Sequence, residues 1–219
     1  MFTWTATWQG TIFFEKIIIP NEWTIKVGFT GESEDPFEEQ IAFDRCRFIV
    51  EDAFQDSLFV RVDDPAFGKL HAITDAPLIT IPEDPVDSAI AIAALSKFGC
   101  ITEGRLFFEH ITISSRLSDG VELQLPQEVL SEVPWILDNP IKSMTGEPAW
   151  FMRTDAGISD YWLKTKNKHE IVRDIDDWKN HGLDWNPDEN VKQEVPEPTV
   201  IRPRFTKGWK PKVIDGGKK

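Results

Sequence analysis

The sequence predicts an α+β fold in the order strand, strand, helix, helix, strand, strand. Three observations carry this. Apolar and polar residues alternate over 2–15 and 23–29, helical spacing takes over between Asp44 and Gly99, and alternation returns over 104–125. The expected architecture is an antiparallel sheet with two helices on one face (ββααββ), followed by a C-terminal extension.

In residues 2–15, Trp4, Ala6, Trp8, Ile12 and Phe14 share one parity, and Thr3, Thr5, Thr7, Gln9 and Thr11 the other. Such a pattern marks a half-buried strand. Pro20-Asn21-Glu22 reads as a break. Trp23, Ile25, Val27 and Phe29 then resume the alternation, so a long antiparallel hairpin is expected. Next, Cys46, Ile49, Val50, Ala53 and Phe54 follow the spacing of a helix over about 45–55, with Asp44 as its N-cap. The segment 57–82 is apolar but irregular and gives no assignment. A second helix over 85–98 has Asp84 at its cap, Pro85 at its first position, a stripe of Val86, Ala89, Ile90 and Ala93, and Gly99 past its end.

Residues 103–125 read as the closing hairpin, with its turn at Ser118-Asp119-Gly120. Glu109 is the odd member. Strict alternation puts it on the face of Phe107 and Ile111, where a carboxylate needs a partner. That partner is either Arg105, Arg116 or a backbone amide, or it is a ligand.

The bulk properties set the context. The chain has 219 residues and a formal net charge of −13. That balance disfavours nucleic acid and anionic membranes as partners of the whole body, since phosphate contacts need Lys and Arg. No stretch is long and apolar enough to be a membrane span, and the first ten residues lack the pattern of a secretory signal. Cys46 and Cys100 make no disulfide framework. A cytoplasmic protein is expected.

Over residues 23–125 the chain resembles the tunnelling-fold proteins, and within them the 6-pyruvoyl- and 6-carboxy-tetrahydropterin synthases. The resemblance rests on "WTIKVGFTGESEDPFEEQIAFDRCRFIVEDAF", "IPEDPVDSAIAIAALSKF" and "GRLFFEHITISS". It implies that Glu109 stands where the family glutamate binds the N–H edge of a pterin or purine ring. It also implies a homo-oligomer with ligand pockets between subunits. A carboxylate accepting two parallel N–H bonds suits such a ring edge.

The family's zinc histidines have no counterpart in "TWQGTIFF" or "IIIPNEW", and its catalytic cysteine and Asp-His pair are also missing. His71, His110, His169 and His181 lack ligand spacing, so neither metal nor other cofactor is expected, and no catalytic residue is assigned. Glu109 and His110, adjacent on a strand, are expected to face opposite ways. Cys100 lacks an activating base. "DWNPDEN" (Asp184, Asn186, Asp188, Asn190) has the alternate spacing of a calcium loop but Glu189 and Val195 at two defining positions, which leaves an acidic loop as the better reading.

The expected division is 1–125 as the tunnelling-fold-like domain, 126–186 as an additional α/β layer and 187–219 as an extended tail. In the layer, 126–137 reads as a short helix and 155–182 as a strand followed by a helix. Residues 199–219 carry seven basic residues and one acidic, net +6, which leaves −19 on the remainder. Arg202, Arg204, Phe205, Lys207, Trp209 and Lys210 are the expected partner-binding residues. Such a segment suits docking on an acidic surface of this protein or a neighbour, or single-stranded nucleic acid. Two functions therefore compete. One is a divergent subunit that binds a purine- or pterin-like heterocycle. The other is a non-enzymatic structural or interaction protein, such as a viral assembly component, that uses the fold as scaffold.

Overall fold

The computed structural model describes residues 1–137, 148–165, 168–173 and 175–185. It is an α+β structure built on one six-stranded sheet. The first hairpin is longer than the alternation suggests. Strands β1 (Phe2–Phe14) and β2 (Ile17–Gly31) pair antiparallel from Phe2↔Phe29 to Phe14↔Ile17. Their turn is Glu15-Lys16, both at positive φ (49° and 68°), as a two-residue hairpin with the right twist demands. Pro20-Asn21-Glu22 is therefore no break: it lies inside β2, with Pro20 opposite Thr11.

Helix α1 (Pro36–Arg47) starts well before Asp44. Its N-cap is Asp35, whose carboxylate accepts from the Phe37 N–H at 2.9 Å, and Pro36 takes the first position. A π-helical turn (Phe48–Ala53) extends it, so the stretch expected to begin a helix ends one. The unassigned segment contains β3 (Ser57–Arg61), α2 (Phe67–Ile73) and β4 (Leu78–Ile81). Helix α3 (Asp87–Ile101) begins later than expected, with Val86 at an N-cap that no side chain satisfies, and runs through an exposed Gly99. The turn after it places Glu103 and Gly104 at positive φ.

Strands β5 (Leu106–Ser115) and β6 (Leu123–Pro126) form the closing hairpin. The sheet order is β4-β3-β1-β2-β5-β6. β1, β2, β5 and β6 are antiparallel neighbours, but β3 runs parallel to β1 and β4 parallel to β3. The sheet is thus mixed. Parallel neighbours need long crossovers, and the helical segments before β3 and β4 supply them.

One face of the sheet carries the core: Trp4, Ala6, Trp8, Trp23, Ile25, Val27, Ile111 and Ile113 pack with α1 and α3. Trp8 stacks on Trp23, with ring centroids 5.4 Å apart and planes inclined by 13°. Helix α2 covers the opposite face of β3 and β4 through Leu58, Val60, Phe67, Leu70 and Leu78. The rest of that face shows exposed Thr3, Thr5 and Thr7 beside half-buried Thr24 and Lys26.

Beyond β6, the expected helix over 126–137 is a 3-10 turn (Gln127–Ser131) and a single α-turn, α4 (Pro134–Leu137). The expected strand is β7 (Asp160–Thr165). It is followed by a second strand, β8 (Lys168–Arg173), and a 3-10 turn (Trp178–His181), where a helix was expected. Trp135, Ile136, Trp150, Phe151 and Ile158 close over α3, which is buried from Ala89 to Phe98. No helix among the described residues is long and apolar enough to cross a membrane.

Candidate functional site

Glu109 sits at an irregularity that alternation alone does not reveal. Gly28 pairs with His110 while Phe29 pairs with Phe108, so Glu109 is the extra residue of a β-bulge. Parity breaks there. Leu106 and Phe108 are buried before the bulge and Ile111 and Ile113 after it, while Phe107 is 45% exposed. Glu109 therefore does not share a core face with Phe107 and Ile111, and it is half-buried. The imidazole of His110 lies over Gly28, where a Cβ would collide with the ring. Bulges of this kind re-aim side chains and often flank functional sites.

Neither Arg105 nor Arg116 forms an ion pair with Glu109 among the described residues. The Arg105 guanidinium donates to Glu38 at 2.8 Å and lies 3.8 Å from the Trp185 ring centroid. Among the described residues the Glu109 side chain makes no hydrogen bond or ion pair. β6 pairs only with His110–Ile113, so no strand among the described residues covers Leu106–Glu109 on that side.

The opposite end of β5 borders a cleft of about 400 Å³ at the start of α3. Its walls are mostly apolar, and Asn21, Asp87, Ser115 and Ser118 stand among them. The Asp87 carboxylate accepts from Trp23 Nε1 at 3.1 Å and from Ser115 Oγ at 2.9 Å. The Oδ1 of Asn21 accepts from the Leu117 N–H at 3.1 Å. A second cleft, about 430 Å³, runs between β1 and α1 beside Phe2, Trp4, Phe29 and Phe43. Glu109 lines neither.

Three buried cations organise the C-terminal layer. Lys97, on α3 and fully buried, donates to the carbonyl oxygens of Trp150, Arg153, Asp155 and Gly157 at 2.6–3.3 Å. Burial lowers its pKa to about 7, against the pull of Asp155. Beside it, Arg153 bonds Asp155 at 2.8 Å and Asp160 at 2.5 Å, and Asp160 also accepts from the Trp150 N–H. Burial holds the Asp160 carboxyl above its usual range despite Arg153. On α1, Arg45 lies 3.6 Å from the Trp185 ring centroid and donates to the carbonyls of Leu183 and Ile101. Burial pulls its pKa down to about 10 against the charge of Glu103. These groups tie chain segments together through protein partners.

No protein-family model and no curated protein matches this sequence.

The remaining sequence candidates scatter. His181 bonds Asp176 at 2.5 Å and meets the Phe48 ring at a tilt of 44°, and His110 lies across the sheet on Gly28. Among the described residues no group of three His, Cys, Asp or Glu could hold a metal ion. Burial raises the pKa of both thiols, Cys46 and Cys100, above the ordinary range, which makes them poor nucleophiles. Asp184 accepts from the Trp185 N–H, while Asn186, Asp188 and Asn190 lie outside the described residues. The tail residues Arg202, Arg204, Phe205, Lys207, Trp209 and Lys210 lie outside them too. Sequence reasoning passed over Lys97, Arg45 and Asn21. Only the Asn21 position, on the core parity of β2 two residues before Trp23, carried a readable signal.

Proposed function

We propose that this chain is a subunit of a homo-oligomer that binds a purine- or pterin-like heterocycle through Glu109, without zinc-dependent synthase chemistry. In this reading β1, β2, β5 and β6 with α1 and α3 are a ββααββ core of tunnelling-fold type. The segment β3-α2-β4 is then an insertion between its two helices. The sequential antiparallel order of those four strands and the packing of both helices into one core support it.

The observation that carries the binding reading is the carboxylate of Glu109. It is half-buried on a bulge, has no partner among the described residues, and borders a stretch of β5 that no strand covers. A second copy laid against that stretch would supply the wall that one subunit lacks. The ring's two N–H groups would then satisfy the anion.

Replacing Glu109 by glutamine puts a donor opposite a ligand N–H. It should weaken binding by about 2–3 kcal/mol, or roughly 30- to 150-fold, with an unchanged melting temperature. Calorimetric titration of both proteins with guanine, urate and pterin measures this. A variant that melts lower while neither form takes up a heterocycle makes Glu109 structural.

One observation favours the interaction-protein reading as well. β3 pairs with β1 only at Gly10–Ile12, leaving Phe2–Trp8 as a sheet edge. Gln9 shows which way this edge faces: its carbonyl accepts from the Asp56 N–H at 2.8 Å and its N–H donates to Gln55. Thr3, Thr5 and Thr7 share that parity and turn their backbone groups away from β2. An edge of this length without proline or bulge invites another strand. The basic tail would add a docking segment for an acidic surface. Thr5→Pro removes one outward N–H and leaves the β1–β2 ladder intact. If copies join at this edge, native mass spectrometry should show monomers of Thr5→Pro with a circular dichroism spectrum like that of the parent. An unchanged assembly mass rules this edge out.

A further inference from the structure

The cleft at the start of α3 lies at the other end of β5 from Glu109, and its chemistry differs. We propose that it is a binding site for a small, uncharged, largely apolar molecule carrying a carbonyl oxygen. Ile12, Phe14, Val86, Leu117, Val121 and Leu123 form its apolar wall. Val86, Leu117 and Val121 are 49%, 51% and 68% exposed, so apolar groups stand open to water around the mouth. A volume of about 400 Å³ is that of a site for a small organic molecule.

The carbonyl follows from Asn21. This side chain is only 6% exposed and lines the cleft, on the core parity of β2. Its Oδ1 is used by the Leu117 N–H, whereas its Nδ2 has no partner among the described residues. The nitrogen is not sealed from the cleft, so it stands open as a donor to whatever occupies that space. A carbonyl oxygen entering the cleft would satisfy it.

The lack of charge follows from Asp87. Its carboxylate stands in the same wall and repels an anion. A cation gains little there. Both carboxylate oxygens already accept a hydrogen bond, from Trp23 and from Ser115, the positive end of the α3 dipole lies beside them, and the Asn21 donor opposes it.

The test uses 2-naphthamide as probe, with naphthalene and 2-naphthoate as controls, followed by amide chemical shifts of the full chain. 2-Naphthamide should shift Ser88, Leu117 and Ser118 saturably, and 2-naphthoate should bind at least tenfold more weakly. Asn21→Asp keeps the oxygen that Leu117 uses and loses the donor. It should weaken 2-naphthamide about tenfold and leave naphthalene within about twofold. Leu117→Trp, at a half-exposed position of the mouth, should block both. Absence of saturable shifts at those amides, or equal 2-naphthamide affinity in Asn21→Asp and the parent, overturns the proposal.

Discussion

Lys97→Met should destabilise the protein by about 3–5 kcal/mol, measured as a drop in the urea midpoint. Methionine fills much of the same space, so the loss comes from the four carbonyl oxygens that converge on the ammonium. The Trp150 carbonyl keeps the Arg153 N–H at 3.2 Å, while those of Arg153, Asp155 and Gly157 lose the ammonium they face. The pH dependence gives a second readout. In the unfolded chain Lys97 holds its proton up to about 10.5, whereas in the folded chain burial lowers the pKa to about 7. Between those values the unfolded state binds more protons. Stability from this group is therefore fully present above about 10.5 and is lost as the pH falls through about 7. Compared with Lys97→Met, the parent should gain stability from pH 7 to 9, by at most about 1.4 kcal/mol per unit. Parallel curves for the two proteins would mean that the lysine stays charged throughout.

Arg153→Met should cost about as much, by a different route. Asp160 is 1% exposed, and Arg153 is the cation against its carboxylate. Removing one partner of a buried ion pair leaves an uncompensated charge, at about 3–5 kcal/mol. The double variant Arg153→Met/Asp160→Asn should recover most of this, because the neutral amide still accepts from the Trp150 N–H. Burial already lifts the Asp160 pKa, and without Arg153 it should rise further. The single variant should then be less impaired as the pH falls from 8 toward the acid range, because a protonated Asp160 needs no cation. Urea titrations along that range decide it. A single variant as stable as the parent would show that Asp160 needs no cation.

Elements buried on one face were legible in the sequence. β1, β2 and most of β5 alternate because helices cover one side and the other meets water or a polar surface. β3 and β4 did not alternate, since Leu58 and Val60 pack against α2 while Phe59, Ile79 and Ile81 face the main core. The start of α1 was written in Asp35-Pro36, the same pair of signals that drew attention to Asp84-Pro85. It was hidden because the buried side of α1 is Ile41, Ala42, Arg45 and Cys46, an apolar stripe interrupted by an arginine. The bulge at Glu109 left no mark either, because an extra residue is visible only against its partner strand. Lys97 misleads most. In a helical stripe a lysine reads as a solvated position, and the groups that hold it are backbone carbonyls, which carry no residue identity.

The lysine cage also bears on what the chain exposes during synthesis. The carbonyls that receive Lys97 belong to residues 53–60 positions further on. At 5–20 residues per second they follow after roughly 3–12 s. During that interval the outer side of α3, rich in alanine and isoleucine, has no cover. A leucine at position 97 would leave that side adhesive to other nascent chains. An ammonium keeps it wettable, then surrenders its water only when the segment that replaces it arrives.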